Sequence, residues 1–72
     1  MSTGTLRWAA ERAQVALKRL EEHDVETRRL LDDVNLFMRT DWPVRQQARI
    51  DLAAQVTETA RALVNVALKE ES

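Results

Sequence analysis

Cysteine is absent from this 72-residue sequence, so neither a disulfide bond nor a thiolate metal site can contribute to its stability. Glycine and proline occur once each, which excludes a glycine-rich phosphate loop and leaves few residues that interrupt a helix. No apolar run approaches the length of a membrane span. The residues that remain are rich in alanine, leucine, valine, arginine and glutamate, a composition that favours the α-helix.

An excess of charge of one sign is also lacking. Lysine and arginine number 11 and aspartate and glutamate 12, for a net charge of −1, so the overall charge gives no reason to expect a polyanionic partner. The single histidine, His23, precedes Asp24, but neighbouring residues of a helix do not face each other. We interpret the pair as a polar layer that specifies helix register; a metal-binding or catalytic role and simple exposure are the alternatives. No catalytic residue, cofactor or metal is predicted, and enzyme activity is not expected.

The first half of the chain carries a heptad pattern that is typical of a long helix packed lengthwise against other helices. Its apolar or small residues recur at alternating steps of four and three; they are Leu6, Ala10, Ala13, Leu17, Leu20, Leu31, Val34 and Met38. A second column at sevenfold spacing flanks them and consists of Ala9, Ala16, His23, Leu30 and Phe37. The pattern predicts a helix from about residue 4 to 39 whose broad apolar face touches two neighbours.

A tight turn is predicted at residues 40–43, where Thr40-Asp41-Trp42-Pro43 is the only interruption of the helical pattern. Asp41 is a good N-cap, and proline is tolerated in the first turn of the helix that follows. A second helix is predicted from about residue 43 to 69, with a packing column of Ala53, Val56, Ala60, Leu63 and Ala67. The chain 1–72 is therefore predicted to be one all-α domain, a two-helix antiparallel hairpin.

Folding this hairpin about Trp42 predicts a register in which Asp24 faces Ala60. Thr57 and Thr59 then lie level with the polar residues near His23, so the polar interruptions of both helices coincide. The second helix is too short to reach the start of the first, and residues 6–13 are predicted to overhang without an intramolecular partner.

One hairpin cannot cover apolar faces as broad as these, and a chain of this length buries only about 60 % of its unfolded surface. We therefore predict that two hairpins form a homodimeric four-helix bundle with two-fold symmetry.

The function predicted from the sequence is that of a small, non-enzymatic protein–protein interaction module: an adaptor, an accessory subunit or an inhibitor. The residues expected to contact a protein partner are Trp8, Arg12, Val15, Trp42 and Arg45, because tryptophan and arginine dominate binding hot spots. The alternative is a small nucleic-acid-associated regulator that contacts phosphates through Arg39, Arg45 and Arg49. The N-terminal residues MSTGTLRW lack the apolar run of a signal peptide, so a cytoplasmic protein without membrane contact is expected.

Overall fold

A computed structural model describes residues 2–71 of the chain, with side chains for residues 4–71. The helices are α1 (Ser2–Asp32), α2 (Val34–Arg39) and α3 (Trp42–Glu71), and residues 2–71 contain no strand. The two long helices pack against each other in opposite directions, in a body of 54 × 16 × 12 Å. The predicted all-α helical hairpin is confirmed.

The turn between α2 and α3 is held by capping hydrogen bonds. Asp41 acts as the N-cap that the sequence predicts: its Oδ1 accepts a hydrogen bond from the backbone N–H of Val44 at 3.3 Å. Its carbonyl oxygen accepts one from the N–H of Arg45 at 3.0 Å. Thr40 caps the end of α2, where its backbone N–H donates to the carbonyl of Phe37. Helix α3 consequently begins at Trp42, with Pro43 in its first turn.

The prediction of one continuous helix from about residue 4 to 39 is wrong at Asp33. This residue has an extended backbone (φ −112°, ψ 113°), and its Oδ1 accepts hydrogen bonds from the N–H groups of Asn35 and Leu36 at 2.9 and 3.3 Å. A side chain that caps a new helix competes with continuation of the old one, and aspartate and asparagine are prone to this. Residues 34–39 therefore form the separate short helix α2.

This interruption shifts the register of the hairpin, and the predicted register is also wrong. Because α2 belongs to the connection, α3 pairs with α1 alone. Asp24 lies beside Arg49, not Ala60, and Thr27 lies beside Arg45. Ala9, within the segment predicted to overhang, is only 3 % exposed. Helix α3 thus packs along α1 through the region where no partner was expected.

The face of α1 that packs on α3 combines the flanking column of the sequence pattern with every second residue of the stronger column. Among the side chains described, only Ala9 and Ala16 are buried, and Ala16 is 5 % exposed. Leu17, which the stronger column places inside, is 45 % exposed. The small alanines allow the two helix axes to approach closely, while the larger leucines one position later point to the side. The contact column of α1 comprises Leu6, Ala9, Ala13, Ala16, Leu20, His23, Thr27 and Leu30.

Candidate functional site

A groove beside the first half of α1 brings together three of the residues predicted to bind a partner. Trp8, Arg12 and Val15 lie along one side of α1, and Gln55 and Glu58 of α3 form the opposite wall. The groove has a volume of about 510 Å³. Its α3 wall was missed from the sequence because the register was wrong, so the sequence placed no part of α3 beside Trp8.

Trp8 gives this groove an exposed aromatic surface, since 58 % of its area is accessible. The guanidinium carbon of Arg12 lies 4.9 Å from the centre of its ring, a cation–π contact that holds both side chains in place. Val15 adds a further exposed apolar side chain next to them. Tryptophan and arginine, two of the three side chains on this side of the groove, are the residue types enriched in protein-binding hot spots.

Arg45, predicted to bind a partner or a phosphate, instead extends into the hairpin, where its side chain is only 17 % exposed. Its Nε donates a hydrogen bond to Oγ1 of Thr27 at 2.9 Å and its Nη2 donates one to the carbonyl of His23 at 3.1 Å. Glu26 lies 3.8 Å from the same nitrogen. These contacts join the first turns of α3 to the last third of α1.

Arg49 forms a bidentate ion pair with Asp24, with distances of 2.9 Å from Nε to Oδ1 and 3.3 Å from Nη2 to Oδ2. The hydrogen bond from Arg49 is the largest influence on the carboxyl group and lowers the pKa of Asp24, against the smaller opposing effect of desolvation. His23, Asp24 and Thr27 therefore lie near Arg45 and Arg49 of α3. The prediction that Thr57 and Thr59 lie level with them is wrong, because both threonines lie farther along α3.

The Asp24–Arg49 pair gives a pH-dependence with a defined sign. Because the pKa of Asp24 is lower in the folded state, its ionised form stabilises the fold at neutral pH, and this contribution is lost as pH falls below about 4. We expect Asp24→Asn to lower the melting temperature at pH 7 and to have a progressively smaller effect below pH 4, measured by circular dichroism. Asp51→Asn is the control, since Asp51 accepts its hydrogen bond from the neutral Gln47. An effect of Asp24→Asn that did not change with pH would contradict this role.

His23 is the least satisfied polar residue of the hairpin. Its side chain is largely covered, and neither ring nitrogen has a hydrogen-bond partner; the nearest carboxylate oxygen, of Asp24, is 3.9 Å from Nδ1. A covered polar group without a partner costs about 1–3 kcal/mol, whereas leucine has a similar size and no polar atom. We therefore expect His23→Leu to increase the free energy of unfolding, and each kcal/mol of this gain should raise the melting temperature by about 4–8 °C.

His23→Gln is the matched control, because glutamine keeps polar atoms at the same place and should bring no gain. A lower melting temperature for His23→Leu, measured on the full chain by circular dichroism, would show that the imidazole has a partner that stabilises the fold.

The remaining predicted residues lie around the turn. Trp42 packs on Phe37 with ring centres 5.1 Å apart, and its Nε1–H donates to the carbonyl of Phe37 at 3.0 Å. Trp42 and Arg45 line one hollow of about 250 Å³ together with His23. Arg39 is exposed at the end of α2. The structure thus gathers Trp8, Arg12 and Val15 in one groove and leaves the residues of the turn in a separate place.

The side of α3 opposite the groove contains three residues of the packing column predicted for the second helix, Ala53, Ala60 and Ala67, but Ala60 is exposed in the hairpin and the prediction is wrong there. Its residues are uncharged and recur at steps of three and four: Ile50, Ala53, Thr57, Ala60, Val64 and Ala67. Ile50 and Val64 are 57 % and 54 % exposed. We name this set the outward column of α3; no other part of residues 2–71 covers it fully.

Three further observations bear on function. Across residues 2–71, no three His, Asp or Glu side chains gather in a way that could hold a metal ion. None of the helices described is both long enough and apolar enough to cross a membrane. No protein-family model, curated protein or solved structure matches this chain.

Proposed function

We propose that this protein is a small, non-enzymatic protein–protein interaction module that acts as a helical-bundle homodimer, in the role of an adaptor, an accessory subunit or an inhibitor. The observation that carries the proposal is the amount of apolar surface that the hairpin leaves uncovered. Large exposed apolar residues lie along both long helices; they include Leu17, Leu31, Ile50 and Val64.

The accessible surface of the chain makes the same point quantitatively. It measures 6006 Å², whereas a compact monomer of 8.3 kDa is expected to expose about 4,600 Å². The excess of about 1,400 Å² exceeds the roughly 800 Å² that each partner contributes to a standard protein–protein interface. The radius of gyration of 16.4 Å, against about 11 Å for a compact chain of this length, reflects the same extended shape. A second chain that buried about 800 Å² of each protomer would remove more than half of this excess.

The groove of Trp8, Arg12 and Val15 is our candidate for contact with a different protein. It lies on the side of the hairpin opposite the outward column of α3, because Gln55 and Glu58 point about half a turn away from Ala53 and Ala60. A homodimer formed through the outward column therefore leaves one groove open on each protomer. Two identical open grooves suit an adaptor or accessory subunit.

The alternative of nucleic-acid binding is not proposed. Arg45 and Arg49 are already bonded to Thr27, His23 and Asp24 within the hairpin. A phosphate would have to displace these contacts, so two of the three arginines predicted to bind it are poorly placed to do so.

A comparison of matched variants tests the role of the groove. The tagged full chain is used to capture proteins from its native cell, and bound proteins are quantified by mass spectrometry for the wild type, Val15→Ala and Val25→Ala. Both valines are exposed on α1, but only Val15 lines the groove. We expect a partner that is retained by the wild type and by Val25→Ala and reduced at least about tenfold by Val15→Ala, a loss of about 1.4 kcal/mol that is typical of a well-packed residue near the centre of an interface.

Trp8→Ala should give the same loss as Val15→Ala. Retention of every bound protein by both groove variants would show that the groove is not the contact surface, and capture of nothing but the chain itself would contradict the role as a module for other proteins.

A further inference from the structure

We propose that a second copy of this chain docks on the outward column of α3 in antiparallel orientation, with a two-fold axis that passes between Thr57 and Ala60. The inference rests on the proposed function, since it specifies the homodimer: which face is covered, by what, and in which register.

The outward column of α3 is complementary to a second copy of itself. Its β-branched residues, Ile50, Thr57 and Val64, alternate with the alanines Ala53, Ala60 and Ala67. When the column is turned about an axis between Thr57 and Ala60, each β-branched residue comes to face an alanine of the second copy. The facing pairs are Ile50 with Ala67, Thr57 with Ala60 and Val64 with Ala53. Large side chains opposite small ones allow two helices to pack closely without voids.

Thr57 is the only polar residue of the column, and its hydroxyl group is already satisfied. Oγ1 donates a hydrogen bond to the carbonyl of Ala53 at 3.2 Å within α3. The methyl group can therefore enter an apolar interface while the hydroxyl keeps its partner. A shallow hollow of about 480 Å³ beside it, lined by Thr57, Ala60 and Val64 among others, offers room for side chains of the second copy.

Helix α1 carries a second self-complementary pattern on the same side of the hairpin. An axis at Gln14 brings Ala10 level with Lys18 of the second copy and beside Leu17, so a small residue again lies next to a large apolar one. The same axis turns Arg7 to face Glu21 of the second copy, which pairs opposite charges. Neither pattern depends on the other, because they lie on different helices.

The two axes coincide, and this agreement favours the antiparallel arrangement most strongly. Asp24 and Arg49 lie side by side in the hairpin. Gln14 lies ten residues before Asp24, and Thr59 lies ten residues after Arg49, so antiparallel helices place them at one level. The axis through Gln14 of α1 and the axis between Thr57 and Ala60 of α3 are thus one two-fold axis, and each helix packs on its own copy.

The absence of cysteine from the natural chain makes a cross-linking test clean. The full chain is made with Ala53→Cys and Val64→Cys together, and the rate of disulfide formation at micromolar concentration is followed on non-reducing gels. These two positions are too far apart on one helix to react within a chain but face each other across the proposed interface. We expect a covalent dimer at least about tenfold faster than for the control pair Gln55→Cys with Ala62→Cys, which has the same midpoint along α3 but lies on its opposite side.

The other outcomes overturn the inference in distinguishable ways. Efficient cross-linking of Ala53→Cys alone would show parallel packing, and equal rates for both double variants would show that no face is preferred. A second test pair is Ile50→Cys with Ala67→Cys. If the wild type is dimeric but neither this pair nor Ala53→Cys with Val64→Cys cross-links faster than the control, this interface is refuted and the homodimer is not. A monomeric wild type would refute the homodimer of the proposed function as well. The second test pair covers the case in which one pair of substitutions disturbs association.

Discussion

Ala60→Arg is expected to convert the homodimer into a folded monomer. Ala60 lies next to the proposed axis, so each dimer would contain two new guanidinium groups facing a surface without an acidic partner. Burying an unpaired charge costs several kcal/mol, and we expect the dissociation constant to rise at least about 1,000-fold, or about 4 kcal/mol. Because Ala60 is exposed within the hairpin, the helices themselves should persist, with only the stabilisation from association lost.

The matched control for this prediction is Ala62→Arg. Ala62 is also an exposed alanine of α3 but lies on the other side of the helix, so the same substitution should leave the dimer intact. Sedimentation equilibrium over a concentration series measures both constants, and helicity from circular dichroism reports whether each variant is folded. Equal effects of the two substitutions would contradict the assignment of the interface to the outward column.

Ala16→Glu is expected to unfold much of the chain at 25 °C. Ala16 is one of the two buried residues between α1 and α3, where a glutamate would have to be accommodated between closely packed helices and its carboxylate would lose most of its hydration. The cost of about 3–5 kcal/mol is large against the roughly 4–11 kcal/mol that a domain of this size has available. Helicity at 25 °C should fall and the urea midpoint should shift strongly downward.

Val25→Glu introduces the same charge at an exposed position of the same helix and should change the urea midpoint little. The comparison also distinguishes the two columns of α1. If Leu17→Glu destabilised the isolated hairpin more than Ala16→Glu, the column inferred from the strongest hydrophobic pattern would be the inner one, and the packing described above would be wrong.

The helical hairpin could be predicted from the sequence because its signals are local. Sustained heptad spacing, one proline and the Asp41 cap specify two helices and a turn through chemistry that acts within a few residues. The break at Asp33 has a local signal too, since Asp32, Asp33 and Asn35 all favour caps over helix interiors. The heptad pattern favoured a continuous helix more strongly than these three residues opposed it. Because the cap at Asp33 was not predicted, the predicted register of the whole hairpin was displaced.

The choice of inner column could not be made from hydrophobicity alone. Leu17 is more apolar than Ala16, so the pattern favours the column of Leu17 as the core. Close approach of two helices favours the smaller side chain, which depends on the partner helix and not on local propensity. The contacts of Asp24 with Arg49 and of Thr27 with Arg45 could not be predicted either, because a side-chain contact between helices depends on the register of the hairpin.

The candidate groove was predicted in part. Trp8, Arg12 and Val15 share one side of α1 by helical spacing, which the sequence alone provides. Gln55 and Glu58 enter the groove through the register of α3, and no local signal marks them. Arg45 was predicted to bind a partner but is bonded within the hairpin. An arginine near a turn is usually solvated, and its hydrogen bonds to Thr27 and to the His23 carbonyl depend on the register of the two helices.

The molar mass of the full chain in solution tests the central claim most directly. Sedimentation equilibrium at micromolar concentration and physiological salt should give twice the 8.3 kDa of the chain, because the hairpin exposes more apolar surface than a stable monomer would. A mass of 8.3 kDa at that concentration, with helicity retained, would contradict the account.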